Sequence, residues 1–208
     1  RERPSLRLPR PDEDVHGFPT YRLAPAARLW RVVRDRRSPW WFSASMEGRF
    51  DLPRPLGTCY LSNDDLAALL ESLGPELLPG GMAPASLLEG KHLRLLAVPG
   101  PMKLANALAG RATRWVTAEI STITPYAVPQ AWALALASHG MDGIRYGVRH
   151  STSVRHASFA LFSRAGEGWW RRGRRVDIDE EHRRRLLAVH GVLLFDPPAS
   201  DEIEFARD

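Results

Sequence analysis

The chain has 208 residues, of which 44% are hydrophobic and 25% are charged, a composition typical of one globular domain with a full core. No run of 18 apolar residues occurs and the N-terminal end lacks the apolar segment of a secretory signal, so no membrane span is expected and a cytoplasmic protein is favoured. The single cysteine, Cys59, excludes an internal disulfide and a cysteine-based zinc site.

Arginine dominates the positive charge. The sequence has 29 Lys and Arg residues against 24 Asp and Glu residues, a formal net charge of +5, and only Lys91 and Lys103 are lysines. The planar guanidinium can donate two parallel hydrogen bonds to a phosphate, so this charge is consistent with nucleic-acid binding. A coding bias toward Arg, Ala, Pro and Gly gives the same composition, so charge alone does not choose a function.

Short apolar runs and capping signals predict a mixture of strands and helices. Residues 1–20 are rich in proline and charge, so we expect an irregular N-terminal arm followed by one domain over residues 21–208. The predicted elements are, in chain order, strands over 29–33 and 58–61, a helix over 66–73, a strand over 92–98, a short helix over 102–108, a strand over 115–118, a helix over 126–139, strands over 143–146 and 157–162, a helix over 179–189 and a strand over 192–195. Because no strict βαβ rhythm appears, we expect a single compact α+β domain with mixed or antiparallel sheets.

The helix over residues 66–73 has clear start and stop signals. Ser62 is predicted to cap it, with Asp65 as the capping-box partner three residues later and Asp64 at the positive end of the helix dipole. Gly74 predicts the end of the helix.

Three side chains near this helix are candidates for chemistry. Glu71 shares a helix face with Ala67 and Ala68, whose small side chains would leave room for a ligand above the carboxylate. Arg49 follows a glycine, which permits close approach of a ligand, and could bind a phosphate; Tyr60 lies inside an apolar strand. Each residue type also has an ordinary structural explanation: a solvated carboxylate, an arginine paired with a neighbouring acid, and a core tyrosine.

Other motifs are absent or weak. The histidines form no HxxxH or HExxH pair, and His150 and His156 flank a loop without nearby carboxylates, so no metal site is predicted. No GxSxG, Walker or GxGxxG motif is present. The stretch WWRRGRR, residues 169–175, could bind nucleic acid by stacking and phosphate contact, but a solvated turn or a partner-binding rim is favoured.

Several blocks of the sequence together resemble the RES domain, the toxin module of RES–Xre toxin–antitoxin pairs. The first half matches through WRV at residues 30–32, PWWF at 39–42, GRFD…GTCYLS at 48–62 and ALLE at 68–71. A second block, GMDGIRYGVRHS…ASFALF, begins at residue 140. The matching segments span most of the chain, and the spacing of the GRF, GTCYLS and LLE motifs is the most specific part of the resemblance.

The resemblance implies which residues form a site. The Arg, Tyr and Glu of the family are Arg49, Tyr60 and Glu71, and an upstream arginine that helps to hold the substrate is Arg31. The Ser of the family is assigned to Ser158.

Two other serines are rivals for this assignment. Ser151 and Ser153 lie in the loop before Ser158, and many members have a serine shortly after the Tyr of the GIRY segment. Here Gly147 and Val148 stand at that place, so the three serines remain alternatives.

RES toxins are similar in fold to ADP-ribosyltransferases, and the resemblance implies NAD+ as substrate rather than as a prosthetic group. Members degrade NAD+ by hydrolysis or by phosphorolysis with phosphate as co-substrate, and a helix-turn-helix antitoxin of the Xre family is the implied partner. Cleavage of the nicotinamide–ribose bond passes through an oxocarbenium-like cation. In that reaction Glu71 would stabilise the cation, Arg49 and Arg31 would hold the diphosphate, Tyr60 would pack against nicotinamide or ribose, and Ser158 would supply a hydrogen bond.

Two alternatives remain open. The chain could transfer ADP-ribose to a protein as a mono-ADP-ribosyltransferase, or it could be a non-catalytic module that binds nucleic acid or a protein partner. Direct nucleic-acid binding is the less favoured of these interactions.

Overall fold

Twelve strands and three α-helices occur in the computed structural model, which describes residues 6–151, 153 and 155–196. The strands are β1 (Thr20–Leu23), β2 (Arg28–Arg34), β3 (Trp41–Phe42), β4 (Leu56–Ser62), β5 (Met82–Pro84), β6 (Lys91–Ala97), β7 (Met102–Asn106), β8 (Gly143–Gly147), β9 (Ala157–Arg164), β10 (Gly166–Glu167), β11 (Arg174–Val176) and β12 (Leu193–Phe195). The helices are α1 (Asp65–Leu73), α2 (Ala127–Ser138) and α3 (Glu180–His190). None of these helices is long and apolar enough to span a bilayer.

Eight of the strands form one mixed sheet in the order β1-β7-β8-β9-β4-β2-β6-β11. β7 and β8 run parallel, and the other neighbouring strands are antiparallel. Two small ribbons, β3 with β10 and β5 with β12, lie beside this sheet. The predicted α+β domain with a mixed sheet is therefore confirmed.

A gap near the middle of the sheet positions the candidate site. β4 pairs with β9 over its whole length, but it pairs with β2 only at Trp30 and Ser62. β2 pairs with β6 over its whole length, from Arg28 to Arg34, so beyond the Trp30–Ser62 pair it stays with β6 and separates from β4. α1 follows β4 after two residues and packs against both strands.

Buried apolar clusters join the helices to the sheet. Trp132 and Leu136 of α2 are fully buried in one cluster with Ile144 of β8. Leu186 of α3 is buried beside Leu70 of α1 in another. Burial of each such side chain contributes about 1.5–3 kcal/mol, so packing holds both α1 and α2 firmly on the sheet.

The helix predicted over residues 102–108 is wrong, because the segment forms strand β7. Leu104 and Ala105 are both fully buried, but in two different apolar clusters. Consecutive side chains of a strand point to opposite faces, so a strand buries both residues between β1 and β8.

The strand predicted over residues 115–118 is also wrong. Trp115 and Val116 are buried, as the apolar run suggested. They lie, however, between two short 3₁₀ helices, Gly110–Arg114 and Ala118–Ser121. The other predicted elements are confirmed, with bounds that shift by at most two residues.

The cap of α1 differs from the prediction. Asp64 rather than Ser62 is the N-cap, and its Oδ1 accepts hydrogen bonds from the backbone N–H groups of Leu66 and Ala67 at 2.9 and 3.1 Å. Ser62 remains the last residue of β4. The predicted helix end at Gly74 is confirmed.

Residues 6–19 form no helix or strand. Their apolar side chains nevertheless enter the core: Leu6, Val15 and Phe18 are buried in the same cluster as Trp132. The backbone N–H of Leu6 also donates to Glu119 Oε2 at 2.7 Å. This part of the N-terminal segment therefore packs as part of the domain.

Candidate active site

A cavity of about 330 Å³ opens in the gap between β2 and β4. It is lined by Trp30, Arg31, Val32, Glu47, Gly48, Arg49, Tyr60, Leu61, Ser62, Ala68, Glu71, Ser72, Tyr126, Tyr146, Arg149, His150 and Ser158. The structure thus brings together all five site residues that the sequence analysis assigned, Arg31, Arg49, Tyr60, Glu71 and Ser158. They come from four elements and one loop, so only the fold places them side by side.

Glu71 lies on the face of α1 that borders the cavity. Its Oε1 accepts a hydrogen bond from the backbone N–H of Arg149 at 3.0 Å. Burial raises the pKa of Glu71, although the Arg149 N–H and the guanidinium of Arg49 oppose this rise. A carboxylate that is partly removed from water interacts strongly with a positive charge that develops beside it.

Arg49 is 9% exposed and reaches the cavity from the loop between β3 and β4. Its Nη1 donates to the carbonyl oxygen of Ile123 at 2.7 Å, and its guanidinium carbon lies 4.7 Å from the centroid of the Tyr126 ring, a cation–π distance. Burial lowers the pKa of Arg49, but a guanidinium stays protonated in proteins. The cavity therefore contains a fixed, largely desolvated positive charge.

Tyr60 lines the cavity, but its hydroxyl is engaged elsewhere. The hydroxyl donates to Asp51 Oδ1 at 2.9 Å and accepts from the Phe50 backbone N–H at 2.8 Å. Burial is the main cause, and the nearby charge of Asp51 the second, of a pKa of Tyr60 that is well above its ordinary value. The hydroxyl therefore stays protonated and links β4 to the loop that carries Arg49.

Three hydroxyl side chains form a row across neighbouring strands. Ser158 of β9 is the register partner of Ser62 in β4 and of Tyr146 in β8. The hydroxyl oxygens of Ser158 and Ser62 lie 3.1 Å apart, and Tyr146 lies opposite Ser158 on the neighbouring strand. Burial raises the pKa of Tyr146 well above its ordinary value, so this row supplies neutral hydrogen-bonding groups at the wall of the cavity.

Arg31 borders the cavity from β2, with part of its guanidinium already bound. Its Nη1 donates to the carbonyl oxygens of Pro39 and Trp41 at 2.6 and 3.2 Å. The same nitrogen lies 2.8 Å from Cys59 Sγ. These contacts hold the end of the β2–β3 connection and the start of β3 against the sheet, so Arg31 has a structural role beside any contact with a ligand.

The family model for the RES domain matches residues 28–179 of the chain. The chain belongs to the RES domain family. Its fold is similar to a chain in the crystal structure of the M. tuberculosis MbcT–MbcA toxin–antitoxin complex, with a TM-score of 0.61, 15% sequence identity, and coverage of 81% of this chain and 92% of that chain. No curated protein sequence matched the chain.

Among the serines considered for this RES domain, the structure separates Ser158 from its rivals. Ser158 is 1% exposed and lines the cavity. The Ser151 hydroxyl lies 2.8 Å from His156 Nδ1, and Ser153 is exposed; neither lines the cavity.

Several residues that were not assigned from the sequence also line the cavity of this RES domain, among them Tyr126, Tyr146, Arg149 and His150. Tyr146 lies in the GIRY segment, two residues after the buried Ile144, so strand periodicity could have indicated it. The other three gave no signal, because loops bring them to the cavity. His150 packs against Gly74 so closely that a Cβ on the glycine would collide with the imidazole, and burial lowers the pKa of His150.

Proposed function

We propose that this RES domain is a toxin that cleaves the nicotinamide–ribose bond of NAD+ by hydrolysis or phosphorolysis, and that a helix-turn-helix antitoxin of the Xre family neutralises it. The observation that carries the proposal is that one cavity holds both a largely buried carboxylate, Glu71, and a buried guanidinium, Arg49. The solved structure of similar fold comes from a toxin–antitoxin complex, which supports the toxin and the antitoxin.

The charges in the cavity suit the charges of NAD+. The dinucleotide has a cationic nicotinamide ring at one end and an anionic diphosphate in the middle. Arg49, with Arg31 and Arg149 also at the cavity, would bind the diphosphate, and Glu71 would lie beside the ribose next to nicotinamide. Binding both regions would fix the ribose in the orientation that the reaction needs.

The reaction requires stabilisation of charge more than proton transfer. The bond between ribose C1′ and the nicotinamide nitrogen breaks with its electron pair passing to nitrogen, so nicotinamide leaves as a neutral molecule. The positive charge that develops on the ribose is stabilised by Glu71, and Ser158 would donate a hydrogen bond nearby. Water then adds to C1′ and releases a proton, giving ADP-ribose, or phosphate adds in its place.

Release of nicotinamide from NAD+ by the purified protein tests the proposal. We expect wild-type protein to release nicotinamide, and Glu71→Gln and Arg49→Ala each to reduce the rate by roughly 100-fold or more, as loss of a group that stabilises transition-state charge does. Glu76→Gln is the matched control, because Glu76 is an exposed glutamate just beyond the same helix, and it should keep the wild-type rate.

The products distinguish the acceptors. Faster release in phosphate buffer, with ADP-ribose carrying phosphate at C1′, would indicate phosphorolysis, and ADP-ribose alone would indicate hydrolysis. If NAD+ labelled in its ADP-ribose part leaves the label on a protein, a mono-ADP-ribosyltransferase would be favoured. No nicotinamide release in any of these mixtures would contradict the proposed reaction.

A further inference from the structure

Asp51 is a buried carboxylate next to the arginine of the site. It is 1% exposed and lies two residues after Arg49, in the loop between β3 and β4. A carboxylate in such a position is stable only when hydrogen-bond donors surround it.

Four donors converge on the two oxygens of this carboxylate. Oδ2 accepts from the hydroxyls of Ser43 and Ser45 at 3.2 and 3.0 Å, and from the Gly48 backbone N–H at 3.1 Å. Oδ1 accepts from the Tyr60 hydroxyl at 2.9 Å. The loop therefore folds around Asp51.

These bonds fix both neighbours of Arg49. The Gly48 N–H binds Asp51 directly, and the Phe50 N–H donates to the Tyr60 hydroxyl. A Cβ on Gly48 would collide with the carboxylate and with that hydroxyl, so the glycine is what allows this closeness. On the other side, Gln130 of α2 donates to the Gly48 carbonyl oxygen at 2.9 Å.

We propose that Asp51 is a positioning residue that aims Arg49 into the cavity, and that the Tyr60 hydroxyl acts on the reaction through Asp51 rather than by contact with the substrate. The inference rests on the proposed function. The only proton of the Tyr60 hydroxyl is already donated to Asp51, so it does not have a proton to give to a ligand. Both side chains act by fixing the backbone on each side of Arg49.

The substitution Asp51→Asn changes the donor pattern while keeping the shape. One carboxylate oxygen becomes an NH2 group, which donates hydrogen bonds. At the Oδ2 position this group would face the Gly48 N–H, donor against donor. At the Oδ1 position it would donate to the Tyr60 hydroxyl, whose own proton would then lose Asp51 as its acceptor. The loop must then shift, and a displacement of about 1 Å at a substrate-binding group can reduce a rate by roughly 100-fold.

A double-mutant cycle on NAD+ cleavage tests the proposal. Asp51→Asn should lower kcat/KM by about 10- to 100-fold in the wild-type background, and should lower it by less than about 2-fold in Arg49→Ala, because the residue through which it acts is gone. The proposal would be overturned if Asp51→Asn lowered kcat/KM by the same factor in both backgrounds, or did not lower it in the wild-type background. Asp142→Asn is the control. Asp142 also accepts a hydrogen bond from a backbone N–H, that of Lys103 at 2.7 Å, but it does not line the cavity.

Tyr60→Phe supplies the second arm of the test. If the hydroxyl acts through Asp51, Tyr60→Phe combined with Asp51→Asn should be no slower than Asp51→Asn alone. If the loss of activity in the double variant equals the product of the two single losses, the hydroxyl acts independently of Asp51. That result would overturn the role proposed for Tyr60. Should Asp51→Asn fail to fold, Ser45→Ala removes one donor at an exposed residue, and its smaller loss should likewise vanish in Arg49→Ala.

Amide hydrogen exchange tests the positioning without any activity. In Asp51→Asn, or in Ser45→Ala, the Gly48 and Phe50 amides should exchange at least about 10-fold faster than in wild type, while Thr58, whose N–H donates to the Ser43 carbonyl, stays protected. Unchanged exchange at Gly48 and Phe50 would overturn the proposal. If wild-type protein does not cleave NAD+, the proposed function fails, and exchange still decides whether Asp51 fixes the loop.

Discussion

At the scale of single residues, the environment of Glu71 determines when the site can work. Desolvation disfavours the ionised carboxylate, and its bond from Arg149 and the charge of Arg49 only partly offset this effect, so the pKa of Glu71 is raised. The stabilising role assigned to Glu71 requires the ionised form. The site is therefore expected to lose activity at a higher pH than an ordinary glutamate would dictate.

The pH dependence of NAD+ cleavage should report this shift. We expect kcat/KM to fall on the acid side with an inflection above the ordinary glutamate pKa, measured between about pH 4 and 8 with a stability check at each pH. An acid limb at the ordinary glutamate pKa, or none at all, would contradict the assignment of Glu71.

The raised pKa of Glu71 also predicts how the stability of the protein depends on pH, which thermal unfolding measures. A raised pKa in the folded state means that the contribution of Glu71 to stability is fully present below its unfolded pKa and is lost as pH rises through its folded pKa. Glu71→Gln carries no charge at any pH, so it should be at least as stable as wild type at pH 7, and this difference should shrink toward acid pH. That result would also show that loss of activity in Glu71→Gln is not loss of the fold.

At the scale of elements, α1 is held in place by α3 as well as by the sheet. Arg185 of α3 donates to both carboxylate oxygens of Asp65 at 2.9 and 3.0 Å. Burial would raise the pKa of Asp65, but the bonds from Arg185 outweigh it and lower that pKa. Because Asp65 begins the helix that carries Glu71, this pair connects the C-terminal helix to the site.

Arg185→Met should destabilise the protein by roughly 1–3 kcal/mol, because it leaves a mostly buried carboxylate without its partner. Arg184→Met is the control: it breaks an exposed pair with Glu181 and should cost at most about 0.5 kcal/mol. Chemical denaturation of both variants measures the difference. Equal effects would mean that the Asp65 pair adds nothing beyond an exposed ion pair.

Some helices and strands could be predicted from local sequence, and others could not. The helix from residue 65 to 73 has polar residues at its start and a glycine at its end, so local sequence was sufficient to predict the helix, although its N-cap is Asp64 and not the predicted Ser62. Residues 102–106 contain apolar and small residues that suit either a helix or a strand, and only their position between β1 and β8 decides for a strand. The short strands β3, β5, β10 and β11 depend in the same way on partners that are distant in sequence.

At the scale of the whole molecule, the N-terminal segment contributes to the core that supports the site. Phe18 is 3% exposed, and its ring centroid lies 5.2 Å from that of Trp115. Trp132 of α2 belongs to the same cluster, and α2 also holds the Arg49 loop through Gln130. Loss of packing under this segment should therefore weaken the whole domain.

Phe18→Ala should lower the free energy of unfolding by about 3–5 kcal/mol, as expected for a buried aromatic side chain. Leu8→Ala is the control within the same segment, because Leu8 is 56% exposed, and it should change stability by no more than about 0.5 kcal/mol. A near-neutral Phe18→Ala would mean that residues 6–19 form a dispensable arm after all.

The residues of the site were predictable only in part. The assignment of Arg49, Tyr60 and Glu71 followed from the resemblance to the RES domain family, and all three line one cavity. The engagement of the Tyr60 hydroxyl by Asp51 and of Arg31 by the carbonyls before β3 was not predictable. The first contact depends on how the loop between β3 and β4 folds back on the sheet, and the second on how the segment between β2 and β3 does so. No local pattern specifies either.

The proposed function is that this RES domain depletes NAD+ by cleaving it in the cavity that contains Glu71. The most direct measurement is the cellular NAD+ content of bacteria during induced expression of wild-type protein and of Glu71→Gln at matched protein levels. We predict that NAD+ falls several-fold before growth stops with the wild type and stays constant with Glu71→Gln. Growth arrest at constant NAD+, or an equal fall with Glu71→Gln, would contradict the claim.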